Sequence, residues 1–131
     1  MVQPAAKQGD QITATDTHII LIPAPPAPPV PTPLPHPFVG ILMQGLSTDV
    51  FIEGRPAATV DSIAMNMPPH IPQGGPFQKL PSNQGKIMMG SLTVFINGKG
   101  AARSGDMAQT CNDPTDLPVG TVSAVSTVSI G

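Results

Sequence analysis

The chain has 131 residues, a formal net charge of −2, and six Lys and Arg against eight Asp and Glu. That length suits one domain, and basic residues so few and scattered exclude a nucleic-acid footprint or a run that would hold an anionic membrane. The single cysteine excludes an internal disulfide, no basic-then-apolar leader opens the chain, and the apolar run Ile19 to Ile22 stops at Pro23, far short of a bilayer span.

With 13 Gly, 18 Pro and only four aromatic residues, all Phe, a large conventional core is not expected. No stretch free of Pro and Gly places apolar residues at helical spacing over three turns, so the expected class is all-β.

In chain order, the first element is Pro4-Ala5-Ala6-Lys7-Gln8-Gly9-Asp10, a short strand running into a Gly-Asp turn. Asp10 suits an Asx-turn or capping role there. His18 follows. Pro23 to Pro37 is proline-rich and carries His36; such a segment favours extended polyproline II without internal hydrogen bonds, wrapped over the domain surface. Next, Thr48-Asp49-Val50-Phe51-Ile52-Glu53-Gly54-Arg55-Pro56-Ala57-Ala58 aligns with Thr93-Val94-Phe95-Ile96-Asn97-Gly98-Lys99-Gly100-Ala101-Ala102, with Asp49 inserted. Asn97-Gly98 is a strong two-residue hairpin signal, since both turn positions want φ > 0, and Glu53-Gly54 is a weaker one.

Pro56-Ala57-Ala58-Thr59-Val60-Asp61 is a second copy of the opening segment, one residue short and lacking the Gly, with Asp61 matched to Asp10. A long loop from Pro68 to Gln84 carries His70. The third copy, Gly100-Ala101-Ala102-Arg103-Ser104-Gly105-Asp106, starts with Gly in place of Pro, and Cys111 follows it. Thr127-Val128-Ser129-Ile130-Gly131 resembles Thr93-Val94-Phe95-Ile96-Asn97. The repeat is therefore circularly offset, with units at about 4–53, 56–97 and 100–131 in a single domain, 1–131. The last strand should pair with the first. Met43, Met65, Met67, Met88, Met89 and Met107 are expected to fill gaps in a core poor in aromatics.

Every histidine and the only cysteine follow a copy of the repeated segment. Neutral imidazoles and a thiolate are zinc ligands, and three His plus one Cys fill a tetrahedral shell. The expected metal ligands are His18, His36, His70 and Cys111, around one Zn2+. A filled shell leaves no place for substrate, so the ion is structural. No Ser/His/Asp arrangement, P-loop or paired-carboxylate motif is present, and no enzyme is expected.

The repeated Pro-Ala-Ala element ending in Gly-Asp, above all Gly90 to Asp106, resembles the PAAR-repeat family. Pro35-His36-Pro37-Phe38 and Ala14-Thr15-Asp16-Thr17-His18 are similar to its PAAR-like branch. The resemblance implies a small pointed cone of three pseudo-threefold β-hairpin repeats, with long Pro/Gly-rich loops and a metal near the apex. It implies a non-enzymatic tip that caps and sharpens the homotrimeric, VgrG-like spike of a contractile injection system such as type VI secretion, aiding membrane puncture and effector attachment. His18, His36, His70 and Cys111 then correspond to the apex ligands.

One chain with three similar faces suits a monomer that seats on a trimer. It would be made in the cytoplasm without a signal peptide and exported at the particle's tip, in transient contact with a target membrane. No fused toxin domain is expected. Two other readings are a zinc-dependent hydrolase, which needs three ligands, an open position and a base, and an adaptor whose Pro-rich segment recruits an effector cargo.

Overall fold

The Asn97-Gly98 and Glu53-Gly54 pairs adopt the left-handed backbone that a two-residue hairpin requires, with φ of 53° and 80° in one and 53° and 79° in the other. In this computed structural model, which describes residues 2–131 and has no helix among them, the two turns close two short ribbons. One joins β4 (Phe51–Ile52) to β5 (Arg55–Pro56) and the other β8 (Phe95–Ile96) to β9 (Lys99–Gly100). A third ribbon is made by the two ends of the chain. Here β1 (Gln3–Pro4) pairs antiparallel with β12 (Ser129–Ile130), Gln3 opposite Ile130. This is the pairing expected from the sequence. The ribbons continue alike: Ala5 N–H donates to Val128 O at 2.9 Å, Ala57 to Val50 at 3.0 Å and Ala101 to Val94 at 3.0 Å.

The three Ala-Ala pairs meet at a crowded centre. Ala6 N–H donates to Ala102 O at 2.9 Å, Ala102 to Ala58 at 3.0 Å and Ala58 to Ala6 at 3.0 Å, so three backbones close a ring of hydrogen bonds. All six alanines are fully buried. Ala5, Ala57 and Ala101 pack with Ile52, Ile96 and Ile130 on one side of this ring, while Ala6, Ala58 and Ala102 join the larger core on the other.

That larger core fills a closed six-stranded barrel. Its strands are β2 (Gln11–Ala24), β3 (Ala27–Gln44), β6 (Ile63–Asn66), β7 (Gln84–Ile87), β10 (Met107–Thr110) and β11 (Leu117–Ser123), in the order β10-β11-β2-β3-β6-β7. Side chains alternate along a strand, and the even-numbered ones of β2 and β3 point inward. Ile12, Phe38, Leu42, Ile87 and Val122 fill the end next to the alanine ring. Asp16, His18 and His36 follow further along the same inward faces.

The proline-rich segment is not free polyproline. It belongs to β3, paired along β2 from Gln11 opposite Ile41 to Ala24 opposite Ala27. The spacing of the prolines permits this. On β2 the amides of Thr17, Ile19 and Leu21 point away from β3, to Asn112 Oδ1 (2.7 Å), Asp113 Oδ2 (2.8 Å) and Pro76 O (2.9 Å). The amides that face β3 are therefore those of residues 16, 18 and 20, opposite His36, Leu34 and Thr32. Pro31, Pro33, Pro35 and Pro37 take the alternate positions, exposed on the outer edge where no ladder donor is required. His18 and His36 thus sit on strands, not in loops.

The methionines do not fill the core. Met43, Met67, Met88, Met89 and Met107 are exposed and Met65 is half-buried. Ile, Leu, Ala and Gly take the inward positions beside them, such as Leu42, Ala64 and Ala108.

The three turns after the alanines also differ from the alignment read in the sequence. Asp10 Oδ2 accepts Lys7 N–H at 3.0 Å and Asp106 Oδ2 accepts Arg103 N–H at 2.7 Å, the Asx-type role expected of them. In the middle copy Ser62 Oγ accepts Thr59 N–H at 3.0 Å. Asp61, at φ 76°, stands where Gly9 (91°) and Gly105 (92°) stand. The middle turn has full length, with Asp replacing Gly and Ser replacing Asp.

Candidate metal centre

Four strands and loops deliver five polar side chains to one enclosed volume beyond the apolar core. Asp16 and His18 come from β2 and His36 from β3. His70 lies four residues beyond the end of β6, and Cys111 directly follows β10. All five are buried. One donor atom from each of Asp16, His18, His70 and Cys111 lies within 4.8 Å of the other three. His36 stands beside them, its ring centroid 5.4 Å from that of His18 and 5.5 Å from that of His70. Three of the four residues expected from the sequence, His18, His70 and Cys111, thus fall in this donor group, and His36 lies beside it. Asp16 joins them as a residue not expected from the sequence, where only His and Cys were taken as ligands. Its period-two spacing from His18 on a strand, Asp-Thr-His, was the available signal.

Each group has a distinct setting. His36 Nδ1 is 2.9 Å from Leu34 O, so that nitrogen donates and Nε2 keeps a lone pair. Nε2 is buried with no hydrogen-bond partner, as is Nδ1 of His18. His18 Nε2 lies 3.7 Å from Cys111 Sγ, while its Nδ1 faces Asp113 Oδ2 at 3.6 Å. Asp16 is fully buried. Its Oδ1 accepts from the Thr110 hydroxyl and from Asn112 Nδ2 (3.4 Å), and its Oδ2 lies 2.8 Å from His70 Nε2 and 3.4 Å from Cys111 Sγ. The Pro68–Gln84 loop covers the site. It binds the outer edge of β2 through Leu21 N–H to Pro76 O and Gln78 N–H to Ile19 O, both 2.9 Å, and sets the Phe77 ring 5.8 Å from His18 and 5.6 Å from His36.

Burial governs the protonation. It holds the His18 pKa below its ordinary value, with Asp113 opposing and His70 adding to the shift. It raises the Cys111 thiol to about 12, aided by the charge of Asp16. Left to itself the site keeps Cys111 protonated and His18 neutral at pH 7. A divalent cation inverts that preference, because its charge is the largest local term and a coordinating thiol loses its proton. Buried imidazole, thiol and carboxylate donors and an orphaned histidine nitrogen suit such an ion. This cluster can hold a metal.

The fold and site define a small all-β closed domain with a buried cluster able to bind a metal ion. The family model of the PAAR motif matches residues 78–131, and the chain carries the PAAR motif there, in agreement with the resemblance read from its sequence. The match takes in β8, β9 and the third alanine pair, together with Cys111. No curated protein matches the chain.

Proposed function

We propose that the chain is the non-enzymatic tip of a contractile injection particle of the type VI kind, seated on a homotrimeric, VgrG-like spike. The PAAR motif supports this class. The observation that carries the seating is the near equivalence of three positions in one chain. Val50, Val94 and Val128 accept the N–H of Ala57, Ala101 and Ala5, the alanines next to the central ring, and they are 37%, 38% and 40% exposed. Phe51 and Phe95 extend two of these sites and are exposed as well. Three similar apolar contacts around one axis match a trimer without a trimer of this chain.

The opposite end of the barrel is the point. A zinc ion is placed where His18, His36, His70 and Cys111 converge, and it makes rigid a region whose apolar packing is slight. The ion is structural, and the chain contributes shape and stiffness for membrane puncture. It is made in the cytoplasm, leaves at the tip of the particle and touches the target membrane only in transit.

The test is to mix the purified chain with a VgrG-type trimer of the same particle and weigh the complex by light scattering. A monomer that adds one copy per trimer is expected. Replacing Val50, Val94 and Val128 together by Asp should abolish the complex and leave the metal bound. A stable homotrimer of this chain, or binding unaffected by the triple change, would sink the reading.

A further inference from the structure

We propose that the outer edge of β3 is closed to a partner strand by its alternating prolines, so that a second copy of this chain cannot add to the sheet there. This depends neither on the metal nor on the spike.

The β2–β3 hairpin outgrows the barrel. β11 pairs with β2 over residues 11–13, and β6 pairs with β3 over residues 40–44. β2 and β3 continue together as far as Ala24 opposite Ala27. Beyond the barrel each of the two strands therefore has one edge turned away from its partner. On β2 that edge is covered. The outward N–H groups of Thr17, Ile19 and Leu21 go to Asn112 Oδ1, Asp113 Oδ2 and Pro76 O, and the outward carbonyls of Thr17 and Ile19 accept from Asp113 N–H and Gln78 N–H, all at 2.7–2.9 Å.

The edge of β3 has no such cover. Val39 is the last residue there whose outward groups are met: its N–H donates to Asn66 Oδ1 at 3.0 Å, and its carbonyl accepts Met67 N–H at 3.1 Å. Strand alternation puts the next outward groups at residues 37, 35, 33 and 31. All four are prolines, and all four are exposed. Among the described residues no protein donor reaches their carbonyls. Thr32, Leu34 and His36, between them, keep the N–H groups that the ladder with β2 uses. The edge is thus a row of acceptors without a donor.

A strand that adds to a sheet edge exchanges N–H and C=O with every second residue of it. Against β3 an incoming strand meets only acceptors. Its own carbonyls on that side would leave water and gain no donor, which is a penalty rather than a bond. The proline rings stand where the missing N–H groups would be and hold the incoming backbone off. A long exposed edge is otherwise a template for a neighbouring chain. The ribbons β1–β12, β4–β5 and β8–β9 need no such device, since each strand in them has two residues.

The test is the full chain with Pro31→Thr, Pro33→Thr and Pro35→Thr together. Threonine restores the N–H, suits a strand and is polar. In sedimentation velocity over a concentration series, the parent should stay monomeric. The triple variant should dimerise, with a dimer fraction at least tenfold above the parent's at the highest concentration. Hydrogen exchange should protect the amides of residues 31, 33 and 35 in the dimer and leave them open in the dilute monomer. With Pro33→Lys in place of Pro33→Thr the chain should return to monomer, because a charge on an edge opposes pairing. A triple variant that is monomeric at every concentration overturns the proposal, as does a parent that already dimerises. Association that leaves the three amides open, or that Pro33→Lys does not reduce, overturns it too. A lower thermal midpoint without association would mean that the prolines only stiffen the strand, and counts against it equally. Should the triple variant fail to fold, Pro33→Thr alone is read by the same outcomes.

Discussion

Asp61 occupies, at φ 76°, the turn position that Gly105 holds at φ 92°. The backbone needs a left-handed residue there, and glycine adopts that conformation without the steric cost other residues incur. Asp61 also reaches Lys86 at 3.7 Å and Lys99 at 3.5 Å, but all three side chains are about half exposed and such pairs contribute little. Asp61→Gly should therefore be neutral or stabilising, by up to about 1 kcal/mol, in denaturant unfolding. Gly105→Ala should cost about 1 kcal/mol. A Cβ at Gly105 meets nothing within 4 Å, so that cost would come from the backbone alone. A destabilised Asp61→Gly variant would show that the two lysine contacts outweigh the strain.

Ser62 and Asp106 accept corresponding backbone amides, so Ser62→Ala and Asp106→Ala should both destabilise, by about 1–3 kcal/mol. Ser62 Oγ also donates to Gly45 O at 2.8 Å, and Asp106 also pairs with Arg103 at 2.9 Å. Asp61→Ala should cost less than either. Thermal unfolding of the three variants decides whether the shifted alignment is right.

Ile130 is 6% exposed and packs with Ala5, Ile52, Ala57, Ile96 and Ala101, although it is the penultimate residue. Ile130→Ala should cost about 2–4 kcal/mol, as for other buried Ile truncations. Deleting residues 126–131 should cost more, since β1 then loses its partner and exposes a strand edge. An unchanged thermal midpoint after that deletion would show that closure of the chain ends does not stabilise the domain.

Cys111→Ser and His18→Ala should each lose tightly bound metal and lower the thermal midpoint by ten degrees or more, on the order expected when a structural ion contributes to folding. Metal analysis of each purified variant, read beside its melting curve, is the check. Stoichiometric zinc at full affinity in both would rule out the site.

Zinc uptake should release about one proton per chain near pH 7, because the Cys111 thiol, pushed up to about 12, must deprotonate to bind. His18, with its pKa held down by burial, is already neutral there and adds none. The sign follows: a proton is displaced on binding, so affinity falls as pH falls, by about tenfold per unit below neutrality. Calorimetry in buffers of different ionisation enthalpy counts the proton. No proton release would mean that Cys111 is not a ligand.

Much of the fold was legible because its signals are local. Asn97-Gly98 and Glu53-Gly54 dictate their turns through φ, and the paired strands and alanines recur in register beside them. The metal residues were legible as types, since all three His and the Cys follow copies of the repeated segment. Pro31, Pro33, Pro35 and Pro37 misled the reading, because composition favours polyproline while their alternation permits a strand edge. Only a partner strand can reveal which of the two applies.

What the sequence by itself determined was the all-β class, the hairpin turns, the closing of the chain on itself and the inventory of soft donors. The tertiary structure decided that Asp61 replaces a glycine, that the methionines lie outside and that Asp16 faces Cys111. The reason is physical. Turn geometry and strand periodicity depend on neighbours in the chain. The burial of a carboxylate, the orphaning of His36 Nε2 and the contact of His70 with Asp16 depend on groups tens of residues away, which only the closed barrel brings together.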